Sequence, residues 1–323
     1  MKIVLTGAAG FIGYHVAEAL LARGDAVLGI DNLNDYYDVA LKQARLDRLL
    51  AHSKFTFKKI DIADRDAMLA LAVAHPDVTH VVHLAAQPGV RYSLINPYAY
   101  VSANVMGHVV TLELARAFKH LTNLVYASSS SVYGGNEKVP FAETDPVDKP
   151  VSLYAATKRA DELMSHTYAH LYGLPQVGLR FFTVYGPYGR PDMAPMIFSR
   201  AILAGEPIRV FNGGDMWRDF TYVDDIVAGV LAAMAKSPTG PLPHKVYNLG
   251  NHRSEKLTDF IAALEQALGK KAEMRFEPMQ PGDVVKTYAD IEEAHRDLGF
   301  EPTTPMDEGV RKFVRWYRTF YSA

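Results

Sequence analysis

The chain has 323 residues, 49% of them hydrophobic and 22% charged, with a formal net charge of -2 and no cysteine. That is enough to bury one large core or two moderate ones, and it argues against disorder. The lack of a basic block argues against nucleic acid or an anionic membrane as partner and leaves small molecules; the lack of cysteine excludes disulfides, thiolate catalysis and cysteine-bound metals and fits a reducing, cytoplasmic setting.

Residues 1–20 place one lysine ahead of an apolar run, but three glycines interrupt it, so a signal peptide is rejected. No apolar stretch approaches the roughly 18 residues of a membrane span. There is no repeat of fixed period and no low-complexity linker.

Residues 2–6 are a β-rich run, followed by Gly7-Ala8-Ala9-Gly10-Phe11-Ile12-Gly13 and a helical pattern over 11–23. A strand feeding a helix through three glycines lets the backbone approach a pyrophosphate, with the free amides of the helix N-terminus turned toward it. The spacing G-x-x-G-x-x-G departs from the G-x-G-x-x-G of ordinary dinucleotide folds, and alone it is equally a tight βα turn. A second strand, 26–30, ends in Asp31-Asn32. A carboxylate at Asp31 is placed to accept hydrogen bonds from an adenosine ribose and to repel a 2′-phosphate, which favours NAD over NADP. A third strand, 54–60, ends in Asp61-Ile62, and a fourth, 79–84, runs into Ala85-Ala86-Gln87. In alternating βαβ order the strand C-termini gather on one edge of a parallel sheet. There Asp61 can bond an adenine amine while Leu84, Ala85 and Ala86 line a cofactor; equally, Asp61 and Asp64 can cap the next helix.

Residues 96–119 read as one long helix with Pro97 tolerated at its start. Asn104 falls inside it, and both a buried polar role and a solvent-facing one are open. A fifth strand, 123–127, ends in four serines, Ser128, Ser129, Ser130 and Ser131, then Val132-Tyr133-Gly134. Their hydroxyls can meet a ligand hydroxyl or simply form a turn. Ser152-Leu153-Tyr154-Ala155-Ala156-Thr157-Lys158 then opens an apolar-periodic helix that runs to Tyr172. Positions four apart share a helix face, so Tyr154 and Lys158 present a phenol and an ammonium side by side. A free tyrosine titrates near pH of about 10. A fixed cation beside it favours the phenolate, which can take a proton from a sugar hydroxyl. The same spacing also suits an amphipathic helix with a surface lysine. Beyond 180 the elements shorten: 208–211 reads as a strand, 226–235 as an apolar helix that returns to the larger domain, and 257–268 and 306–317 as amphipathic helices.

The blocks Gly7-x-x-Gly10-Phe11-Ile12-Gly13, Asp31-Asn32, Asp61-Ile62, Leu84-Ala85-Ala86-Gln87, the serine run with Val132-Tyr133-Gly134, Tyr154-x-x-x-Lys158 and Arg180-x-x-x-Val184-Tyr185-Gly186-Pro187 stand in one collinear order. Together they closely resemble the extended short-chain dehydrogenase/reductase family and its nucleotide-sugar epimerases. The stretch from Thr183 to Ala194 and Met279-Gln280-Pro281-Gly282-Asp283-Val284 resemble signatures of UDP-glucuronate 4-epimerases. The resemblance implies an α/β, Rossmann-type doubly wound parallel sheet over 1–180 that holds NAD. A smaller C-terminal substrate-binding domain follows over 181–323, with the segment near 219–240 returning to the first.

It also implies roles for single residues. Ser129, Tyr154 and Lys158 are the catalytic set. NAD contacts Gly7, Gly10, Phe11, Ile12, Gly13, Asp31, Asn32, Asp61, Ile62, Leu84, Ala85, Ala86, Gln87 and Ser128, besides Tyr154 and Lys158. Ser129, Ser130 and Thr183 bind the sugar with Arg190 as the anchor of a hexuronate carboxylate, Arg218 holds the UDP phosphates, and Asp283 lies near the uridine ribose. No metal is implied, and a homodimer through the helices over 96–119 and 152–172 is. The related decarboxylases and 4,6-dehydratases carry an acidic residue just before the Val-Tyr-Gly triplet, where Ser131 stands, preceded by Ser130. Two other readings are a 4-epimerase of neutral UDP-sugars and a non-catalytic NAD-sensing protein.

Overall fold

A computed structural model describes residues 1–280 and 282–322. Pro281, inside the expected signature over 279–284, and Ala323 lie outside the described residues. Seven strands form one parallel sheet in the spatial order His244–Leu249, Gln176–Phe181, Asn123–Ser129, His80–His83, Lys2–Thr6, Ala26–Asp31, Phe55–Lys59. This is the expected doubly wound arrangement. Strands covered by helices on both faces must be apolar on both, and Ile3, Val4 and Leu5 are all fully buried. Side-chain alternation splits them: Ile3 and Leu5 pack in one core with Val16, Leu20 and Ile226, and Val4 packs in the other with Met68, Leu112 and Leu114.

The return to the sheet goes past the expected segment near 219–240. The helix Val223–Ala235 packs on the same face as Phe11–Ala22, and His244–Leu249 then pairs with Gln176–Phe181 as an edge strand. Among the elements outside that sheet, Ile208–Phe211 pairs with Met274–Glu277 and Trp217–Arg218 with Glu255–Lys256, and the helices Ala194–Ala204, Leu257–Leu268 and Met306–Tyr321 pack together.

The long helix expected over 96–119 runs without a break over residues 97–117 but changes its winding inside. Pro97–Tyr100 is α-helical, Val101–Met106 is a wide π-helical stretch, and Gly107–Ala117 resumes the α-helix. Asn104, 1% exposed, lies in the π-helical stretch and turns its side-chain amide onto the loop after the fourth strand, and Gly107 packs against the Ile62 side chain, where a Cβ would stand 2.6 Å from Ile62 Cδ1.

Asp219 ties together the segments around Thr221, Asn251 and Ala289. Its carboxylate is fully buried and accepts from the amides of Asn251 (2.5 Å) and Ala289 (3.1 Å) and from Thr221 Oγ1 (3.0 Å). Burial pushes it up to about 6, against the hydrogen bonds that favour its charged form. Asp219→Ala would orphan two buried amides and is expected to cost about 2–4 kcal/mol of stability, read as a lower urea midpoint at pH 7.

Candidate active site

One cleft of about 400 Å³ runs across the C-terminal edge of the sheet, from the glycine turn to Arg190. Its floor is the turn itself. Gly7 has φ +73°, and a Cβ there would lie 2.8 Å from Ala85 N; a Cβ on Gly13 would lie 2.0 Å from Gly7 O. Only side-chain-free residues allow this approach, which leaves a cradle of backbone open to a pyrophosphate. At the end of the second strand Asp31 is fixed by the amides of Ala9 (3.1 Å) and Leu33 (2.9 Å), and Asn32 Nδ2 donates to Asp61 Oδ2 at 2.9 Å. Asp61 also accepts from Ala63 N (2.9 Å), while Asp64 is the residue that caps the following helix. These donors and acceptors fit NAD: the turn suits its pyrophosphate, and Asp31 its adenosine ribose.

The opposite end is built by the helix Leu153–Tyr172. Ser152 starts it, its hydroxyl accepting from Ala155 N at 3.1 Å, and Gly173 ends it in the left-handed region at φ +63°. Tyr154 and Lys158 both reach the cleft. Lys158 is 3% exposed, and its ammonium donates to Ala127 O (2.9 Å) at the end of the fifth strand and to Asp161 Oδ2 (3.0 Å). Glu162, one residue on, is gripped by Ser128 Oγ (2.7 Å), by both edges of Arg180 (2.8 and 2.9 Å) and by Arg159 (3.0 Å). Burial pushes that carboxyl up, but these donors outweigh it and hold it below the usual carboxylate range.

The cleft is lined by the expected Gly7, Gly10, Phe11, Ile12, Gly13, Asp31, Asn32, Asp61, Ile62, Leu84, Ala85, Ala86, Ser128, Ser129, Ser130, Tyr154, Lys158, Thr183 and Arg190. Three expected residues stand outside the lining. Gln87 is buried behind it, its amide donating to Asn104 Oδ1 at 2.7 Å. Arg218 and Asp283 gather with Arg91, which pairs with Asp283 at 3.1 Å just past Val90 at the rim. Ser128 borders the cleft, yet its hydroxyl is turned inward to Glu162. Ser129 ends the strand, and its hydroxyl accepts from Ser131 N (3.2 Å) while donating to Ser131 Oγ (3.1 Å). The strand therefore runs two residues further than the sequence pattern marks, and a short helical turn follows over Ser130–Tyr133.

Arg190 does not stand free. Its Nε and Nη2 donate to the two oxygens of Asp192 at 3.0 and 2.6 Å, and Tyr36 OH donates to the same carboxylate at 3.0 Å. Burial pushes Asp192 up, and the guanidinium outweighs it to hold the acid low. Two more side chains fix the geometry: Arg45, which the sequence pattern did not single out, and Asn104, which takes the buried of its two open roles. Fully buried Arg45 donates to Ala9 O (2.9 Å) and to Tyr188 O (2.6 Å), tying the glycine turn to the loop that carries Arg190. Asn104 donates to Thr157 Oγ1 (3.0 Å) and to Gln87 O (3.2 Å), tying the catalytic helix to the loop after the fourth strand. Neither contact has a local sequence signal, because each partner lies many residues away.

The profile of the NAD dependent epimerase/dehydratase family matches residues 3–250. UDP-glucuronate 4-epimerase 4 of Arabidopsis thaliana is 49% identical over 335 residues, covering 100% of this chain and 76% of that protein. The crystal structure of UDP-glucuronic acid 4-epimerase from Bacillus cereus in complex with UDP-glucuronic acid and NAD superposes with a TM-score of 0.92 at 36% identity, over 99% of this chain and 100% of the other. UDP-glucose 4-epimerase from Thermotoga maritima, crystallised with UDP-glucose, gives 0.89 at 31% identity over 99% and 100%. The cleft, with its glycine cradle and its tyrosine and lysine one helical turn apart, thus sits on a chain that belongs to the NAD dependent epimerase/dehydratase family.

Proposed function

We propose that the protein interconverts UDP-glucuronate and UDP-galacturonate by inverting C4 of the sugar. One observation carries this reading beyond family membership. Among the described residues that line the cleft the only carboxylates are Asp31 and Asp61, both at the adenosine end, and the sugar end offers Ser129, Ser130, Ser131, Thr183 and Arg190. A dehydratase or decarboxylase of this family carries an acid just before the Val-Tyr-Gly triplet, and here serines stand there. Without that acid no carboxylate at the sugar end is placed to remove the C5 proton, as a 4,6-dehydration requires, and loss of CO₂ is left to depend on how the hexuronate is held.

When bound, NAD supplies the hydride acceptor, and then the donor, for C4. Tyr154 as phenolate takes the proton of the C4 hydroxyl and returns it after the ketosugar has turned about its phosphate bonds. Ser129 hydrogen-bonds the same oxygen. Lys158, fixed on Ala127 O, keeps a positive charge beside the phenol. A 4-ketohexuronate is a β-keto acid, and it loses CO₂ when its C5–C6 bond lies parallel to the carbonyl π orbital. Ser130, Thr183 and Arg190 hold the carboxylate away from that alignment, Arg190 sharing or exchanging its contact with Asp192. Tyr154→Phe is expected to abolish turnover while NAD stays bound; proton NMR of the products from UDP-glucuronate distinguishes inversion, CO₂ loss and no reaction, and retained inversion by the variant would sink the assignment.

A second reading, a 4-epimerase of neutral UDP-sugars, draws on the likeness to the Thermotoga enzyme. Rates on UDP-glucuronate and UDP-glucose separate the two. Arg190→Ala should reduce the first at least about tenfold, the loss of one charge-assisted contact, and leave the second nearly unchanged.

The homodimer belongs to the same proposal. Ile95, Tyr98, Val101 and Met106 are 77%, 83%, 50% and 53% exposed, and Leu163 and Leu171 on the neighbouring helix Leu153–Tyr172 are 52% and 60% exposed. Such a run of apolar side chains on two adjacent helices is suited to a second copy of the chain. Size exclusion with light scattering is expected to give twice the 35.8 kDa chain mass, and Leu163→Glu with Leu171→Glu to return it to the monomer.

A further inference from the structure

We infer that Asp161 sets the charge that Lys158 carries toward Tyr154 and is a positioning residue of the reaction proposed above, on which this inference rests. The geometry makes the two residues a private pair. Asp161 lies one helical turn after Lys158, is 1% exposed and accepts from the ammonium at 3.0 Å; its Oδ1 is buried and has no partner among the described residues. The charged groups around them are otherwise engaged. Glu162 is neutralised by Arg180 and Arg159. His83 from the fourth strand is pushed down to about 3 by burial and by Lys158. His108, from the helix Gly107–Ala117, is held well below its ordinary value, chiefly by burial, and Tyr126 from the fifth strand well above. His244, from the edge strand, is pushed down to about 4 by burial and hydrogen-bonds Tyr126 at 2.8 Å. At neutral pH these rings are uncharged, so Lys158 is the cation that faces Asp161, and Asp161 the anion that faces Lys158.

The consequence is electrostatic. An ionised Asp161 offsets much of the positive charge that favours the Tyr154 phenolate, and a protonated Asp161 leaves that charge whole. Burial, opposed by Lys158, pushes the acid up to about 6. As pH falls through that value the ammonium becomes uncompensated, and the phenol resists reprotonation. Asp161 thereby flattens the acid side of the activity profile, acting through Lys158 without touching the sugar.

The test is the pH dependence of Tyr154 ionisation in Asp161→Asn, Asp161→Ser and Asp161→Glu. It is read in two ways: as the acid limb of kcat on UDP-glucuronate, and as phenolate absorbance near about 295 nm after subtracting the same variant carrying Tyr154→Phe. Both neutral variants are expected to move the midpoint to lower pH by about one unit or more, and Asp161→Glu to restore it. A folded neutral variant whose midpoint stays at the wild-type value, with only kcat reduced, overturns the inference, because a structural role alone would produce that pattern. The absorbance titration needs no turnover. A wild-type protein inactive on UDP-glucuronate would therefore sink the proposed function while the charge coupling is still decided.

Discussion

The arrangement of this cleft depends on one buried ion pair. Arg180, in the strand Gln176–Phe181, closes with both edges on Glu162, in the middle of the helix that carries Tyr154 and Lys158. A helix lying on a sheet can slide or roll with little change in buried apolar area, because hydrophobic contact has no direction. Two parallel charge-assisted hydrogen bonds in a water-free interior do have direction, and they fix the helix in both senses. Ser128 adds a third bond from the fifth strand, so the serine run and the tyrosine are referred to the same carboxylate. Such a pair adds little net stability over a well-packed apolar contact, and its value here is placement.

From that fixed frame the cations of the cleft can be followed one by one. Arg190 is taken by Asp192, Lys158 by Asp161 and the carbonyl of Ala127, and Lys42 by the carbonyl and side chain of Asn34 at 2.7 and 2.6 Å. An anionic ligand thus enters a site whose lining cations already have partners. Binding is then an exchange of contacts, in which selectivity depends on how well the ligand replaces what it displaces.

The sequence revealed the parts of the site that are local in the chain. Gly7 to Gly13, Asp31, Asp61 and the serine run each sit where a strand ends, and strand ends of a parallel sheet meet on one edge whatever the loops do. Tyr154 and Lys158 were legible for the same reason, since a helix fixes their relation by itself. What stayed hidden depends on distance in sequence. Arg45 meets Tyr188 across 143 residues, and Asn104 meets Thr157 across 53, so no window along the chain contains both partners. Gln87 shows the converse limit: the motif picks it out, and what fixes it, a bond from its backbone N–H to Asn104, again comes from a distant residue. The strand His244–Leu249 lies outside the expected elements because His-Lys-Val-Tyr-Asn-Leu is half polar, without the apolar run of a buried strand, and carries no sign of which sheet it will join.

The wide stretch Val101–Met106 has a cost for variation in length. A π-helical turn holds more residues than the α-helical turn it replaces, so it works as an inserted spacer that sets the rotational phase between Pro97–Tyr100 and Gly107–Ala117. Removing one residue there would let the helix close into a regular spiral and swing Asn104 by roughly 100°, away from Gln87 and Thr157. In this interior segment the residue count is therefore as constrained as any side chain.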